Sequence, residues 1–281
     1  MYENIILDRF IDATDDKAQY AAVFGDSALE TRPCLNIGSG FWRHPVWRTL
    51  DQTEPPYDQY GEPDYNIDLS KQEQWPTEDG ELKLAYCSHV LEHLTDEITL
   101  YVLRETYRSL DKGGIFRIVV PDIETAYWAY KLKDYKYYDE RSTGKPVQRV
   151  EGKVAIASTI GHAKGRSLKT QFFLRFASCL GLNRSFDGLE VDEAVDDVFA
   201  RMSIGEACEH FLASADFATK RPSLHINWYD GDKLKRLLLE AGFSNAVRTS
   251  YGQSLSPLLR NKHYFDTTRP GESLYVDAIK L

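Results

Sequence analysis

Between residues 33 and 124 short apolar runs alternate with polar turns at close spacing. CLNIGSG (34–40) is an apolar run ending in a glycine-bracketed turn, the form in which a buried parallel strand delivers its carboxyl end to a ligand loop. WRTLD (47–51) reads as a second strand ending on an acid, YNID (65–68) as a short third and LKLAYCSHV (82–90) as a fourth. TDEITLYVLRETYRSL (95–110) changes the period: Leu100, Leu103, Tyr107 and Leu110 share one helical face, with acids at the start and Arg108 near the end, as the helix dipole favours. Lys112-Gly113-Gly114 breaks that helix, GIFRIVVP (114–121) is a β-branched strand stopped by Pro121, and IETAYWAYKLK (123–133) starts another helix. Near the end, YDGDKLKRLLLEAGF (229–243) spaces Leu234, Leu237, Leu238 and Ala241 as a helix face, with Asp230 available as a cap and Gly242 as the stop. The strands NAVRTSY (245–251) and SLYVDAIKL (273–281) bring the number of strands to seven.

Strands alternating with helices, and a glycine turn after the first strand, predict an α/β fold: a doubly wound, mostly parallel sheet whose ligand lies at the carboxyl ends of the strands. Residues 33–124 and 223–281 would form this core, residues 125–222 a largely helical, substrate-selecting insertion after the fifth strand, and residues 1–32 a lead-in. A chain of 281 residues with 42% hydrophobic and 27% charged positions has the composition of a globular protein, which excludes fibrous and disordered readings.

The formal charge of −9 argues against a chain-wide surface for long nucleic acid or anionic membrane. That average conceals a bipolar insertion. Residues 131–184 carry 12 Lys/Arg against 4 Asp/Glu, whereas 185–216 carry 1 against 9. The basic part follows an aromatic cluster (Tyr127, Trp128, Tyr130, Tyr135, Tyr137, Tyr138), a combination suited to a small acceptor whose ring carries phosphate. Pairing of the basic part with the acidic helix is the competing expectation. Cys34, Cys87, Cys179 and Cys208 form no C-x-x-C pair, which fits a reducing cytoplasm. The N-terminal MYENIILDRFIDATDD lacks a basic segment followed by an apolar one, and no window reaches about 18 uninterrupted apolar residues, so neither secretion nor membrane insertion is expected.

Gly38-Ser39-Gly40 is half of a nucleotide-binding fingerprint, in which glycines permit a tight turn and let backbone N–H groups approach a ligand. Asp51, at the end of the next strand, is suited to accept the two hydroxyl hydrogens of an adenosine ribose; capping a turn is its bland alternative. Asp68 and Leu69 could read an adenine amino group and cover the ring, or Asp68 could simply form a turn.

These residues resemble the Rossmann-like S-adenosylmethionine-dependent methyltransferases. The string CLNIGSG…HPVWRTLD…YNIDL…YCSHVLEHL…LRETYRSLDKGGIFRIVVPDIE, with the endings HINWYDGDKLKRLLLEAGF and FDTTRPGESLYVDAIKL, is similar to a subgroup found in bacterial surface-polysaccharide loci. The resemblance implies that Asn36, Gly38, Ser39 and Gly40 line the methionine and ribose side of the cofactor, Asp51 the ribose hydroxyls, Asp68 and Leu69 the adenine, and Ser88 and His89 the floor beside the sulfonium. Ser39 stands where the family commonly has Cys, and Trp42 is two positions beyond Gly40, so the fuller three-glycine loop is absent.

A hydroxyl acceptor needs a base, and His89 is the first candidate because it follows a buried strand at the ligand edge. Asp122, after the fifth strand, is next, then His225 at the re-entry to the core, with His162 available from the insertion; an amine acceptor would need no strong base. His93 reads as structural. The carboxylate pairs Asp122/Glu124, Asp192/Asp196 and Glu193/Asp197 read as solvated faces, so no metal ligand set is expected. Two other readings stay open: a non-catalytic adenosyl-binding regulator, and a nicotinamide-dependent dehydrogenase, which Arg43 in place of a third glycine and the lack of an evident Tyr-x-x-x-Lys pair disfavour.

Overall fold

The computed structural model describes residues 13–55, 57–142, 167–180, 185–186, 189–213 and 224–281. His162 and positions 143–166 of the basic stretch lie outside the described residues. The chain divides into two compact units, one comprising Met1–Leu91, Asp96–Val120 and Gly231–Leu281, the other Glu92–Thr95 and Pro121–Asp230.

The first unit is built on a seven-stranded sheet. Its strands are β1 (Cys34–Ile37), β2 (Trp47–Asp51), β3 (Tyr65–Asn66), β4 (Leu82–Ser88), β5 (Leu110–Pro121), β6 (Asn245–Thr249) and β7 (Ser273–Ile279), in the order β3-β2-β1-β4-β5-β7-β6. β1 through β5 pair in parallel and β6 with β7 antiparallel, which makes the sheet mostly parallel and doubly wound. All four residues of β1 are buried, as a central parallel strand covered on both faces requires. Chain order runs outward from β1 to β3 on one side and from β4 to β5 on the other, so the sheet has its topological switch point between β1 and β4.

β5 begins at Leu110, four residues before the apolar run that marks it in sequence. Gly113 N donates to Lys280 O (2.6 Å) and Lys280 N to Gly114 O (3.1 Å), an antiparallel exchange that carries the two glycines into the sheet. The helix Asp96–Ser109 buries Ile98, Thr99, Val102, Leu103, Thr106 and Ser109, a face turned from the expected one, with Leu100 and Tyr107 only half-buried. Small hydroxyl residues can occupy that face because their donors are satisfied: Thr106 Oγ1 bonds Val102 O (2.8 Å), and Ser109 Oγ meets Thr77 Oγ1 (2.6 Å).

The helix Ala13–Phe24, from the lead-in, belongs to the sheet unit. Tyr20, on the helix Ala13–Phe24, is fully buried with Trp47, Tyr86, Phe265 and Tyr275, and Trp47 Nε1 donates to its hydroxyl (2.6 Å). Arg117 on β5 is also fully buried. Its Nε and Nη2 make a forked pair to Asp266 (2.8 and 2.6 Å) and Nη1 reaches Asp277 (2.7 Å).

The second unit contains the helices Ile123–Lys131, Tyr135–Ser142, Leu168–Phe173, Val191–Arg201 and Ile204–Leu212, with a short hairpin, Ser185–Phe186 and Leu189–Glu190. Phe172, Phe173, Phe176, Phe199 and Phe211 form its core. Much of the aromatic cluster expected to meet a ligand belongs to this core instead: Tyr130 stacks on Phe172 (5.2 Å, 6°), Tyr127 stacks on Phe199 (5.4 Å), and buried Tyr138 donates to Ala126 O (2.7 Å). Trp128 and Tyr135 remain exposed, at 52% and 61%. The acidic helix is partly paired within the unit, Asp196 to Lys169 and Tyr130, Asp192 to Ser167 (2.8 Å) and Thr170 (2.7 Å).

Cys34, Cys87 and Cys208 are buried, Cys179 is half-buried, and all four are free thiols. Among the described residues no helix is long and apolar enough to cross a membrane.

Candidate functional site

Within the sheet unit, the carboxyl ends of β1 to β4 bring the expected cofactor residues to one edge, at the switch point. Gly38 follows β1 with φ +66°, and a Cβ built there would lie 2.3 Å from Val90 Cγ2. Gly38 is therefore required both by its left-handed backbone and by close packing. Gly40 also has a positive φ (+53°), but a Cβ there meets nothing within 4 Å. The first glycine is a packing requirement of the fold; the second leaves open space.

The turn is held against β2 by backbone and by one carboxylate. Gly38 N donates to Leu50 O (2.7 Å), Gly40 N to Asp51 Oδ2 (2.7 Å), and Gln52 N to Asp51 Oδ1 (2.8 Å). Each carboxylate oxygen keeps acceptor capacity beyond these bonds. Burial pushes the Asp51 carboxyl above its usual range, against the pull of the Gly40 and Gln52 amides and the Arg43 charge. Buried Ser39 carries an Oγ with no hydrogen-bond partner among the described residues. A buried hydroxyl left so is an opening for a ligand's polar atom.

Asn36 is buried on β1, in register with Thr49 on β2 and Tyr86 on β4. Asp68 caps the turn Leu69–Lys71, its Oδ1 accepting from Ser70 N (2.9 Å) and Ser70 Oγ (2.7 Å), so the turn-forming role is realised; Leu69 is half-buried. Trp42 stacks on His44 (5.7 Å, 14°) and donates to Tyr264 O (2.9 Å), which places it in the sheet unit's aromatic cluster. Phe41, between Gly40 and Trp42, is 64% exposed and edge-on to Tyr60 (4.4 Å). In the sequence it is legible only as an aromatic beside the glycine turn.

Ser88 ends β4, and His89 follows with φ +55°, an uncommon backbone for a side chain larger than glycine. His89 N donates to Val119 O (2.8 Å), and Nε2 lies 3.0 Å from Ser273 Oγ. Ser273 has one hydroxyl hydrogen, which it gives to Arg269 O (2.9 Å). That leaves the Ser273 oxygen to accept from His89 Nε2.

The other two candidate bases belong to the helical unit. Asp122 caps the helix Ile123–Lys131: Oδ1 accepts from Glu124 N (3.0 Å) and Thr125 N (3.4 Å), and Oδ2 from Thr125 Oγ1 (2.9 Å). His225 is buried, with Nδ1 2.6 Å from Arg175 O. It meets His93, whose ring centroid is 5.1 Å away, and Glu92 lies with them. Nothing in the spacing of 92, 93 and 225 announces that they converge.

No protein-family model matches the chain, and no curated protein sequence matches it. Solved structures similar in fold include an S-adenosylmethionine-dependent methyltransferase of Archaeoglobus fulgidus (12% identity, TM-score 0.37, covering 100% of each chain). Another is from Thermotoga maritima (14% identity, TM-score 0.37, 98% of each chain). The methyltransferase SibL is similar at 11% identity and TM-score 0.36, over 96% of this chain, which spans 60% of SibL's length. At such values the likenesses carry no inference about chemistry, and the site residues must do so.

Proposed function

We propose that this protein is an S-adenosylmethionine-dependent methyltransferase acting on a hydroxyl or amine of a sugar or glycan precursor. The observation that carries the reading is the Gly40–Asp51 contact at the switch point of the sheet, with the buried hydroxyl of Ser39 beside it in sequence. A left-handed glycine turn with open space at Gly40, and a carboxylate with acceptor capacity at the end of the adjacent strand, suit an adenosyl ribose. Arg43 opposes the dinucleotide alternative: it occupies the place of a third fingerprint glycine, and its Nη1 donates to Gly40 O (2.6 Å).

Asn36, Gly38, Ser39 and Gly40 would hold the methionine and ribose side, Asp51 the ribose hydroxyls, Asp68 and Leu69 the adenine, and Ser88 and His89 the sulfonium side. Bound there, the cofactor supplies an electrophilic methyl group. His89 is the residue assigned to take the acceptor's proton; Ser273 fixes the ring and Val119 the backbone. Asp122 is committed to its helix cap, which disfavours it as the base. Within the helical unit, exposed Trp128 and Tyr135, with Lys131 and Lys133 in the same segment, suit a small ring that carries phosphate.

Incubation of the protein and S-adenosylmethionine with a panel of nucleotide sugars, read by mass spectrometry for the gain of one methyl group, tests the reading. With a hydroxyl acceptor, His89→Gln should lower kcat by about 10²-fold or more. Cofactor binding without a methylated product from any sugar would sink the acceptor class, and an unaffected His89→Gln would sink the base.

A further inference from the structure

We infer that Glu92, His93 and His225 form a binding site for one divalent transition-metal ion, of which Zn2+ is the model. One carboxylate oxygen and one nitrogen from each ring all lie within 4.8 Å of one another, and His93 Nε2 is 3.9 Å from Glu92 Oε1. A tetrahedral ion bonded at about 2.0–2.1 Å sets its ligands roughly 3.3 Å apart, so the three groups need to draw in by about 1 Å.

The stronger argument is the tautomer of the rings. His93 Nδ1 lies 3.1 Å from Leu224 O, and His225 Nδ1 lies 2.6 Å from Arg175 O. A carbonyl oxygen only accepts, so each Nδ1 carries the hydrogen, and in each neutral ring the lone pair is on Nε2. Both lone pairs are thus assigned to the nitrogens opposite the carbonyls. A backbone carbonyl on the far nitrogen is how proteins orient metal-binding imidazoles and raise their basicity. Glu92, 1% exposed, is a poor candidate for a merely solvated acid.

The backbone fixes the same convergence. Glu92 O accepts from Ile226 N (2.9 Å) and Asn227 N (3.2 Å), while Asn227 Nδ2 donates to Leu94 O (2.9 Å). His225 N donates to Ser178 Oγ (2.8 Å), which adds a third segment. All of these residues lie in the helical unit, and the ligands are held from main chain rather than by long flexible side chains. Two imidazoles and one carboxylate select a transition ion over Mg2+ or Ca2+, which prefer oxygen. Three protein ligands leave one tetrahedral position for water or for an oxygen of a bound molecule.

The site does not rest on the methyl-transfer reading, and its test uses no methyl donor. The full chain, stripped with chelator, is titrated with Co2+ and followed by visible absorption, then with Zn2+ in competition. The expected result is one equivalent of Co2+ with d–d bands that Zn2+ displaces, and a rise in Tm with Zn2+. His93→Gln and Glu92→Gln, checked for folding by circular dichroism, should each weaken binding at least about tenfold, since losing a ligand costs at least as much as the 10–100-fold lost on removing an outer-shell partner. His263→Gln should leave it unchanged. Absence of stoichiometric bands, equal binding by the Glu92 and His93 variants, or loss of binding with His263→Gln would each overturn the assignment.

Discussion

His89 in the sheet unit and His225 in the helical unit are each oriented through one ring nitrogen, and the two do it with different materials. His89 leans on a hydroxyl at the start of β7, 184 residues further along the chain, and reaches its place because β4 stops one residue earlier. His225 leans on a backbone carbonyl and converges with a histidine and a glutamate more than 130 residues before it. The sheet site is specified by where parallel strands end, and most of the cofactor candidates lie at or just after those ends. The helical site is specified by turns and backbone hydrogen bonds between distant segments. Register is a simple rule; convergence of loops has none that a single sequence displays.

The cores differ in the same sense, and the largest expected effects probe that difference. Replacing Arg117 by Met leaves Asp266 and Asp277 buried without their cation and should cost about 3–5 kcal/mol. Phe172→Ala in the helical core should cost a similar 3–5 kcal/mol by opening a cavity. Denaturant unfolding separates them once Arg117→Met is combined with Asp266→Asn and Asp277→Asn: removing the stranded carboxylates should return part of the loss, whereas Phe172→Ala strands no charge. A triple variant no more stable than Arg117→Met would contradict the contrast between an ion-specified and a ring-packed core.

Within the sheet edge, the two glycines should part company. Gly38→Ala combines a left-handed backbone with a Cβ 2.3 Å from a stiff Val90 methyl, and should destabilise by about 2–5 kcal/mol. Gly40→Ala meets open space and should cost only about 1–2 kcal/mol of backbone strain. Unfolding curves of both variants, with Gly38→Ala repeated in a Val90→Ala background to remove the clash, decide the matter. Equal losses in all three would mean that packing at Val90 plays no part.

The smallest effect concerns the edge of β2. Asp64 accepts from Thr49 N (2.8 Å), Thr49 Oγ1 (2.9 Å) and Arg32 Nη2 (2.9 Å). Burial works against its ionisation, but Arg32 and Thr49 outweigh burial and hold the carboxyl below its usual range. A lowered pKa means that the stabilisation is present above the unfolded value and is lost as pH falls through the folded one. Asp64→Asn should cost about 1 kcal/mol at pH 7, since the pair is partly exposed, and progressively less as the medium is acidified below the ordinary Asp range. An acid titration in which the gap between variant and parent stays constant would refute this.

The legible part of the fold follows from these contrasts. Trp47–Asp51 and Leu82–Ser88 announce themselves because buried parallel strands are apolar runs with abrupt polar ends. Arg117 did not, because one cation inside such a run looks like an interruption until Asp266 and Asp277 arrive from 149 and 160 residues away. The helix Asp96–Ser109 was legible in extent but not in its buried face, where Thr99, Thr106 and Ser109 replace the leucines that periodicity favours. Asp68 and Asp122 were legible as acids at strand ends, and the local capping bonds that engage them are as readable as any ligand role. The convergence of Glu92 and His93 is not legible in the sequence because it depends on His225, and that contact is set by the main chain of segments 92–95 and 225–227.

Calorimetric titration of the full chain with S-adenosylmethionine, against NAD as the rival, tests most directly whether the Gly40–Asp51 constellation is an adenosyl site. That assignment predicts saturable binding of S-adenosylmethionine at one site, weakened by about tenfold or more in Asp51→Asn through loss of charge-assisted hydrogen bonds, and no binding of NAD. No heat with S-adenosylmethionine, or NAD binding in its place that Asp51→Asn weakens, would contradict it.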